Sequence, residues 1–169
     1  MDQASDVPPP ELPGLALLLV QLGFHVGREF GERLAPLGLE QRQAGMLVRL
    51  AANEGRSQQA IAELLGINAT RMVFLVDELE RLGLVERRRN PADRRSHALH
   101  LTDAGRAMLA RVRAVTAEHE TRMSAGLTAG ERTQLISLLR QVAREQGLDA
   151  RALPGIPPGR GAGVPGRPD

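Results

Sequence analysis

The side chains best placed to do chemistry in this chain are its arginines. All 22 basic residues are Arg and none is Lys. Five of them, Arg87, Arg88, Arg89, Arg94 and Arg95, fall within a short stretch that holds a single acid, Asp93. A guanidinium presents a planar fork of N–H donors that fits a phosphate or the O6/N7 edge of guanine. A sixth, Arg71, lies in Asn68-Ala69-Thr70-Arg71-Met72-Val73-Phe74, a run with no acid before Asp77. The pI of 10.7 is not itself an argument for a polyanionic partner. With no Lys, Tyr or Cys to titrate at about pH 8–10, the value floats upward while the net charge is only +2. The argument rests on where the arginines stand.

Other chemistries find less support. There is no Cys, so disulfides, thiol redox sensing and thiolate metal sites are excluded. His97 and His100 are three residues apart, which in a strand places them on opposite faces, and His119 has Glu118 and Glu120 beside it rather than one helical turn away. No metal site is expected. The chain has no Gly-rich phosphate loop, no nucleophile motif and no carboxylate pair in apolar surroundings, so it reads as no enzyme and as needing no cofactor.

The arginines must be held by something, and the apolar pattern shows what. Hydrophobic residues make up 42 % of the chain, with three Phe and no Trp or Tyr. Such a core suits helix-on-helix packing. Leu15, Leu18, Leu19, Leu22, Val26, Phe30 and Leu34 recur at helical spacing until Pro36 and Gly38. A second helix spans about Glu40 to Ala52. Ser57 caps a short third that ends at Gly66, and Asn68 caps a fourth that ends by Gly83. The period then changes. Leu84–Arg88 and Arg95–Leu101 read as two strands around Asn90-Pro91-Ala92-Asp93. Thr102 caps a long helix carrying Met108, Val112, Val115, His119 and Met123. A capping box, Thr128-Ala129-Gly130-Glu131, opens the last, with Leu135, Leu138, Leu139 and Val142 on its inner side.

Ile61-Ala62, Leu65-Gly66-Ile67, Met72 and Leu75 supply what a helix-turn-helix requires: a small residue at the helix crossing, Gly at the turn, and an apolar inner face on the second helix. With Met72, Leu75, Val76 and Leu79 inward, Ala69, Thr70, Arg71, Val73 and Phe74 face out. Arg71 suits a guanine edge and Val73 a thymine methyl, while Phe74 is open between this face and packing on the first helix. The arginine-rich hairpin that follows is placed to run along a nucleic-acid backbone and enter the minor groove. Asp93 orients a neighbouring arginine. Ser57, Gln58 and Asn68, at the helix starts, complete a candidate DNA-contact set with Thr70, Arg71, Val73, Phe74, Arg88, Arg89, Asp93, Arg94 and Arg95.

Leu79-Glu80-Arg81-Leu82-Gly83-Leu84-Val85-Glu86-Arg87-Arg88, Asp93-Arg94-Arg95 and Leu101-Thr102-Asp103-Ala104-Gly105 resemble the signature of the MarR (multiple antibiotic resistance regulator) family, over about residues 14–147. The resemblance implies a mainly α (α+β) fold, a winged helix-turn-helix with about six helices and a two-stranded wing. It implies a homodimer whose terminal helices interlock, acting on a pseudo-palindromic double-stranded DNA site, most readily as a ligand-responsive repressor. It also puts Thr70 and Arg71 at base-reading positions and Arg95 in the minor groove, with Asp93 its wing-tip partner.

The same resemblance implies a small aromatic or phenolic acid as effector, in a cleft drawing on Phe24, His25, Arg28, Met46, Met108 and Arg111, with His25 and Arg28 as an anion cradle. The expected division is a flexible segment 1–12, a domain 13–147 and a flexible Gly/Pro/Arg tail 148–169. Within the domain, dimerisation helices occupy about 14–35 and 103–147, and the winged helix-turn-helix about 40–101. Met1–Pro10 has no basic lead and Leu15–Leu22 is too short to span a bilayer, so no membrane partner and a cytoplasmic location are expected. The rival readings are a winged helix that binds protein, which calls for an acidic or apolar outer face, and a non-specific architectural DNA binder.

Overall fold

A computed structural model describes residues 14–90 and 93–148, leaving aside the side chains of residues 90–96. The helices are α1 (Leu15–Leu34), α2 (Gln41–Ala51), α3 (Gln58–Leu65), α4 (Ala69–Arg81), α5 (Asp103–Met123) and α6 (Ala129–Glu145), and the strands are β1 (Val85–Asn90) and β2 (Asp93–Leu101). A 3-10 turn, Ala35–Leu37, joins α1 to α2 where Pro36 interrupts the helix.

Side chains at the helix starts place the elements. Ser57 Oγ accepts the Ala60 amide at 3.1 Å, and Asn68 Oδ1 accepts the Arg71 amide at 2.9 Å. Thr102 Oγ1 accepts the Gly105 amide at 2.9 Å and donates to the Gly83 carbonyl at 2.6 Å. Thr128 and Glu131 form the expected capping box. Gly66 has φ +63°, the left-handed turn between α3 and α4.

The core lies under the wing. Leu34, Met46, Leu47, Leu50, Ile61, Met72, Val76, Leu79, Val85, Leu99 and Leu101 are almost wholly buried, with Leu109 and Val112 of α5 closing one side. Each such side chain contributes about 1.5–3 kcal/mol by leaving water. β1 and β2 pair antiparallel, with Val85 opposite Leu101 and Arg87 opposite Leu99. Both strands run further towards the hairpin tip than the apolar pattern indicates. Residues 55–57 add a short third rung: Gly55 donates to Leu99, Leu99 donates to Arg56, and Ser57 bridges to Ala98. The start of α3 is thereby tied to the wing.

Glu54 locks the base of this assembly. Its carboxylate accepts from Arg106 at 2.7 and 3.1 Å and from the Leu101 amide at 2.8 Å. The Arg106 guanidinium, with the Leu101 amide, outweighs burial and holds the carboxyl below its ordinary value of 4.5. A depressed carboxyl pKa stabilises the fold above the unfolded value and loses that effect as pH falls through the folded one. The gap in melting temperature between the wild type and Glu54→Gln is therefore expected to be full at neutral pH and to narrow as pH drops below 4.5. Thermal scans from pH 7 to 3 check it; a constant gap would sink it.

The two terminal helices leave their apolar stripes uncovered. Along α1 only Leu34 is buried, while Leu15, Leu18 and Leu22 are exposed. In α6 nothing is buried, and Leu135, Leu138 and Leu139 face outward rather than in. Within one chain these stripes have too little surface to pack on.

Candidate nucleic-acid interface

α4 buries Met72, Leu75, Val76 and Leu79 against the core and leaves Ala69, Thr70, Arg71, Val73 and Phe74 exposed. Its first turn carries no acid. Phe74 is 66 % exposed, so of its two readings packing on the first helix is set aside. The ring projects into solvent from the face that also carries Thr70, one turn earlier. A groove of about 500 Å3 runs beside this helix, between Ser57 and Gln58 of the α3 start, Val73 of α4 and Arg87 and His97 of the wing.

Arg87, which the candidate DNA-contact set leaves out, is held inside the protein. Its Nη2 donates to Asp77 at 2.6 Å and to Gln58 Oε1 at 3.1 Å, its Nε to the same Gln58 oxygen at 3.2 Å, and its Nη1 to Glu80. The Arg87 amide also donates to Glu80, at 3.1 Å. The cause is strand period: Arg87 shares a face with buried Val85, so it points at α4 rather than away from it. It bolts wing to helix and matches the charge of Asp77, an acid on the outward side of α4. Arg88 and Arg89 are exposed, Arg88 beside Glu86 at 2.5 Å. The side chains of Asp93, Arg94 and Arg95 lie outside the described residues; their backbone belongs to β2.

A variant separates these roles. Arg87→Ala is expected to cost about 2 kcal/mol of stability, because it strips charged hydrogen bonds from a half-buried cluster. It should also weaken DNA binding while leaving the slope of affinity against salt unchanged. Loss of a phosphate contact would instead reduce that slope by about one. Titrations at several salt concentrations distinguish the two.

Ser57, Gln58 and Asn68 have partners inside the protein. The Ser57 and Asn68 oxygens cap their helices and the Gln58 oxygen holds Arg87.

The family model described as MarR family matches residues 37–96, from the end of the 3-10 turn into the wing. A protein of Thauera aromatica named for transcriptional regulation of the hcr operon is 34 % identical over 133 residues, which cover 74 % of this chain and 80 % of that one. The chain belongs to the MarR family. Its fold matches that of the transcriptional repressor CouR, solved on a 23-mer DNA duplex, with a TM-score of 0.70 and 42 % identity over 78 % of this chain and 93 % of that one. CouR bound to p-coumaroyl-CoA matches with a TM-score of 0.67 and 39 % identity, over the same shares. A Mycobacterium tuberculosis MarR-family protein in complex with salicylic acid matches with a TM-score of 0.60 and 28 % identity, over 78 % and 98 %.

In this MarR-family chain the expected effector residues are not one set. Met46 is wholly buried inside the winged-helix core, so it cannot line an open cleft in this conformation, and Met108 packs against that core. Phe24 is exposed on α1 and Arg111 on α5. The expected cradle is occupied from within its own helix: His25 lies 3.3 Å from Glu29 and Arg28 3.0 Å from Glu32. Helical spacing of four makes both pairs legible in the sequence. His25 does border a cleft of about 380 Å3 with Glu29, Arg33, Arg122, Met123 and Ala125. Arg33 and Arg122, which sequence reasoning passed over, flank Glu118 at 3.5 and 3.3 Å. Nearby His119 is buried, stacked on Phe30 with ring centroids 5.2 Å apart. No group of three metal-ligating side chains occurs among the described residues, and no single helix there is long and apolar enough to cross a membrane.

Proposed function

We propose that this MarR-family regulator is a cytoplasmic, effector-responsive repressor that binds an inverted repeat of double-stranded DNA as a homodimer. The observation that carries the reading is the outward face of α4, with Thr70, Arg71, Val73 and Phe74 exposed and no acid in the first turn, beside an arginine-bearing wing. The fold shared with CouR, which was solved on DNA, supports it. Arg71 reads a base edge, the wing at Arg88, Arg89 and Arg94 follows the backbone, and Arg95 enters the minor groove with Asp93 steadying it.

The exposed apolar stripes of α1 and α6 belong to the second function, dimerisation by residues 14–35 and 103–147 around the winged helix of 40–101. The effector is an aromatic carboxylic acid or its coenzyme A thioester, a class supported by the p-coumaroyl-CoA and salicylic acid complexes of the two relatives. It enters beside α1 and α5 at the cleft that His25 borders.

Sequencing of host DNA fragments retained by the purified protein at about 0.15 M salt, near physiological ionic strength, tests the reading. Enrichment of a short inverted repeat is expected, together with its release by the effector class. Retention without sequence preference, or none, overturns the reading. On the recovered site Arg71→Ala is expected to cost about 1–3 kcal/mol and to relax preference at one position per half-site. Arg95→Ala should weaken all sequences alike and lower the salt slope by about one. Binding isotherms on matched and scrambled duplexes check both.

A further inference from the structure

We propose that Phe74 is a specificity-determining residue that reads the C5-methyl group of a pyrimidine in the major groove. The inference rests on the DNA-binding reading above and names one chemical feature that this reading leaves open.

The chain has three Phe, and they are used differently. Phe30 stacks on His119, and Phe24 is exposed on α1, on the side of that helix opposite Leu15, Leu18 and Leu22. Phe74 stands on α4, 66 % exposed, with Val73 beside it 41 % exposed. At about 100° per residue, Thr70 and Phe74 fall near the middle of the arc opposite Met72, Leu75, Val76 and Leu79. Val73 and Arg71 fall on its two sides.

The surroundings select the occupant of this face. Arg71 precedes Phe74 by less than a turn, and Arg88 and Arg89 are exposed on the adjoining wing. The acid that follows, Asp77, is matched by Arg87 at 2.6 Å. An apolar ring in a cationic setting fits a polyanion that offers an apolar feature between its phosphates. In the major groove of duplex DNA the C5-methyl group is that feature, on thymine or on 5-methylcytosine. A phenyl ring has neither donor nor acceptor to offer a base edge, so it discriminates through that methyl. Removing one buried methyl lowers affinity about fourfold, and about fifteenfold when both half-sites lose it.

The probe is the duplex recovered by the pull-down, with each thymine replaced in turn by uracil, which deletes the methyl and keeps every hydrogen-bonding group. Anisotropy titrations are run with the wild type, Phe74→Ala and Phe74→Leu. One thymine per half-site is expected at which uracil weakens the wild type about fourfold. Phe74→Ala should bind the thymine and uracil duplexes equally, while Phe74→Leu keeps part of the difference. At the same position, 5-methylcytosine should bind more tightly than cytosine by a similar factor if the ring recognises the methyl itself. A difference confined to thymine narrows the source to thymine and leaves the role of Phe74 standing.

A flat uracil scan on a duplex that is still bound specifically overturns the proposal without touching the repressor reading. So does a uracil effect that survives in Phe74→Ala. Failure to bind any duplex specifically would instead strike the repressor reading first.

Discussion

Gly105→Ala is expected to destabilise the protein by about 3 kcal/mol, the upper end of overpacking costs, and to lower its melting temperature by at least ~6 °C. A Cβ on Gly105 would lie 1.9 Å from the Leu84 carbonyl oxygen and 2.9 Å from its carbon. That oxygen already accepts the Thr102 amide at 3.1 Å. The obstacle is backbone at the junction of β1 and α5, so no side chain can swing aside. Helix propensity alone gives the opposite sign, since Gly inside a helix costs about 0.5–1 kcal/mol relative to Ala. The sign therefore decides between the two effects. A variant that melts at or above the wild type would show that α5 is not seated against Leu84. The same seat sets the angle between α5 and the winged helix, so the variant should also lose affinity for an inverted repeat.

The second large effect concerns the faces that one chain leaves uncovered. Leu15, Leu18 and Leu22 of α1 are 61, 42 and 52 % exposed, and Leu135, Leu138 and Leu139 of α6 are 45, 53 and 39 % exposed. Apolar stripes on both terminal helices are a surface that a second copy would bury. Leu18→Glu combined with Leu138→Glu is expected to convert the dimer to a monomer and to lower affinity for the inverted repeat at least ~100-fold. Joining two half-site binders raises the second one's effective concentration, and that gain disappears with the dimer. Sedimentation reports the oligomer, circular dichroism the retained helices, and isotherms on full and half sites the affinity. A double variant that still sediments as a dimer places the interface elsewhere.

Much of the fold is legible because local rules agree with one another. Ser57, Asn68, Thr102 and Thr128 all cap the helices they precede. Gly66 takes the left-handed turn, and the inner residues of α4 recur at i, i+3, i+4 and i+7 as a helix demands. These signals act within a few residues, where spacing determines contact. Arg87 was legible too. Period two from buried Val85 directs it inward. The His25–Glu29 and Arg28–Glu32 pairs were equally readable at spacing four, and they weaken the anion cradle that spacing three suggested.

Other features have no local signal. The pairing of residues 55–57 with Leu99 and Ala98 joins segments some forty residues apart in the chain, through backbone groups that every residue carries. Met46 looks like any apolar helix residue until the packing of α2 seals it inside the core.

The sequence by itself determined the order of elements, their caps and turn, the outward face of α4 and the arginine-rich hairpin. Tertiary structure decided which side chains of α3 and α4 meet Arg87. It decided that Gly105 must lack a side chain, and that the apolar stripes of α1 and α6 point out of the chain. The reason is range. Caps and periods are set by neighbours along the backbone, whereas an ion pair from β1 to α4 or a clash between α5 and Leu84 exists only once distant segments meet.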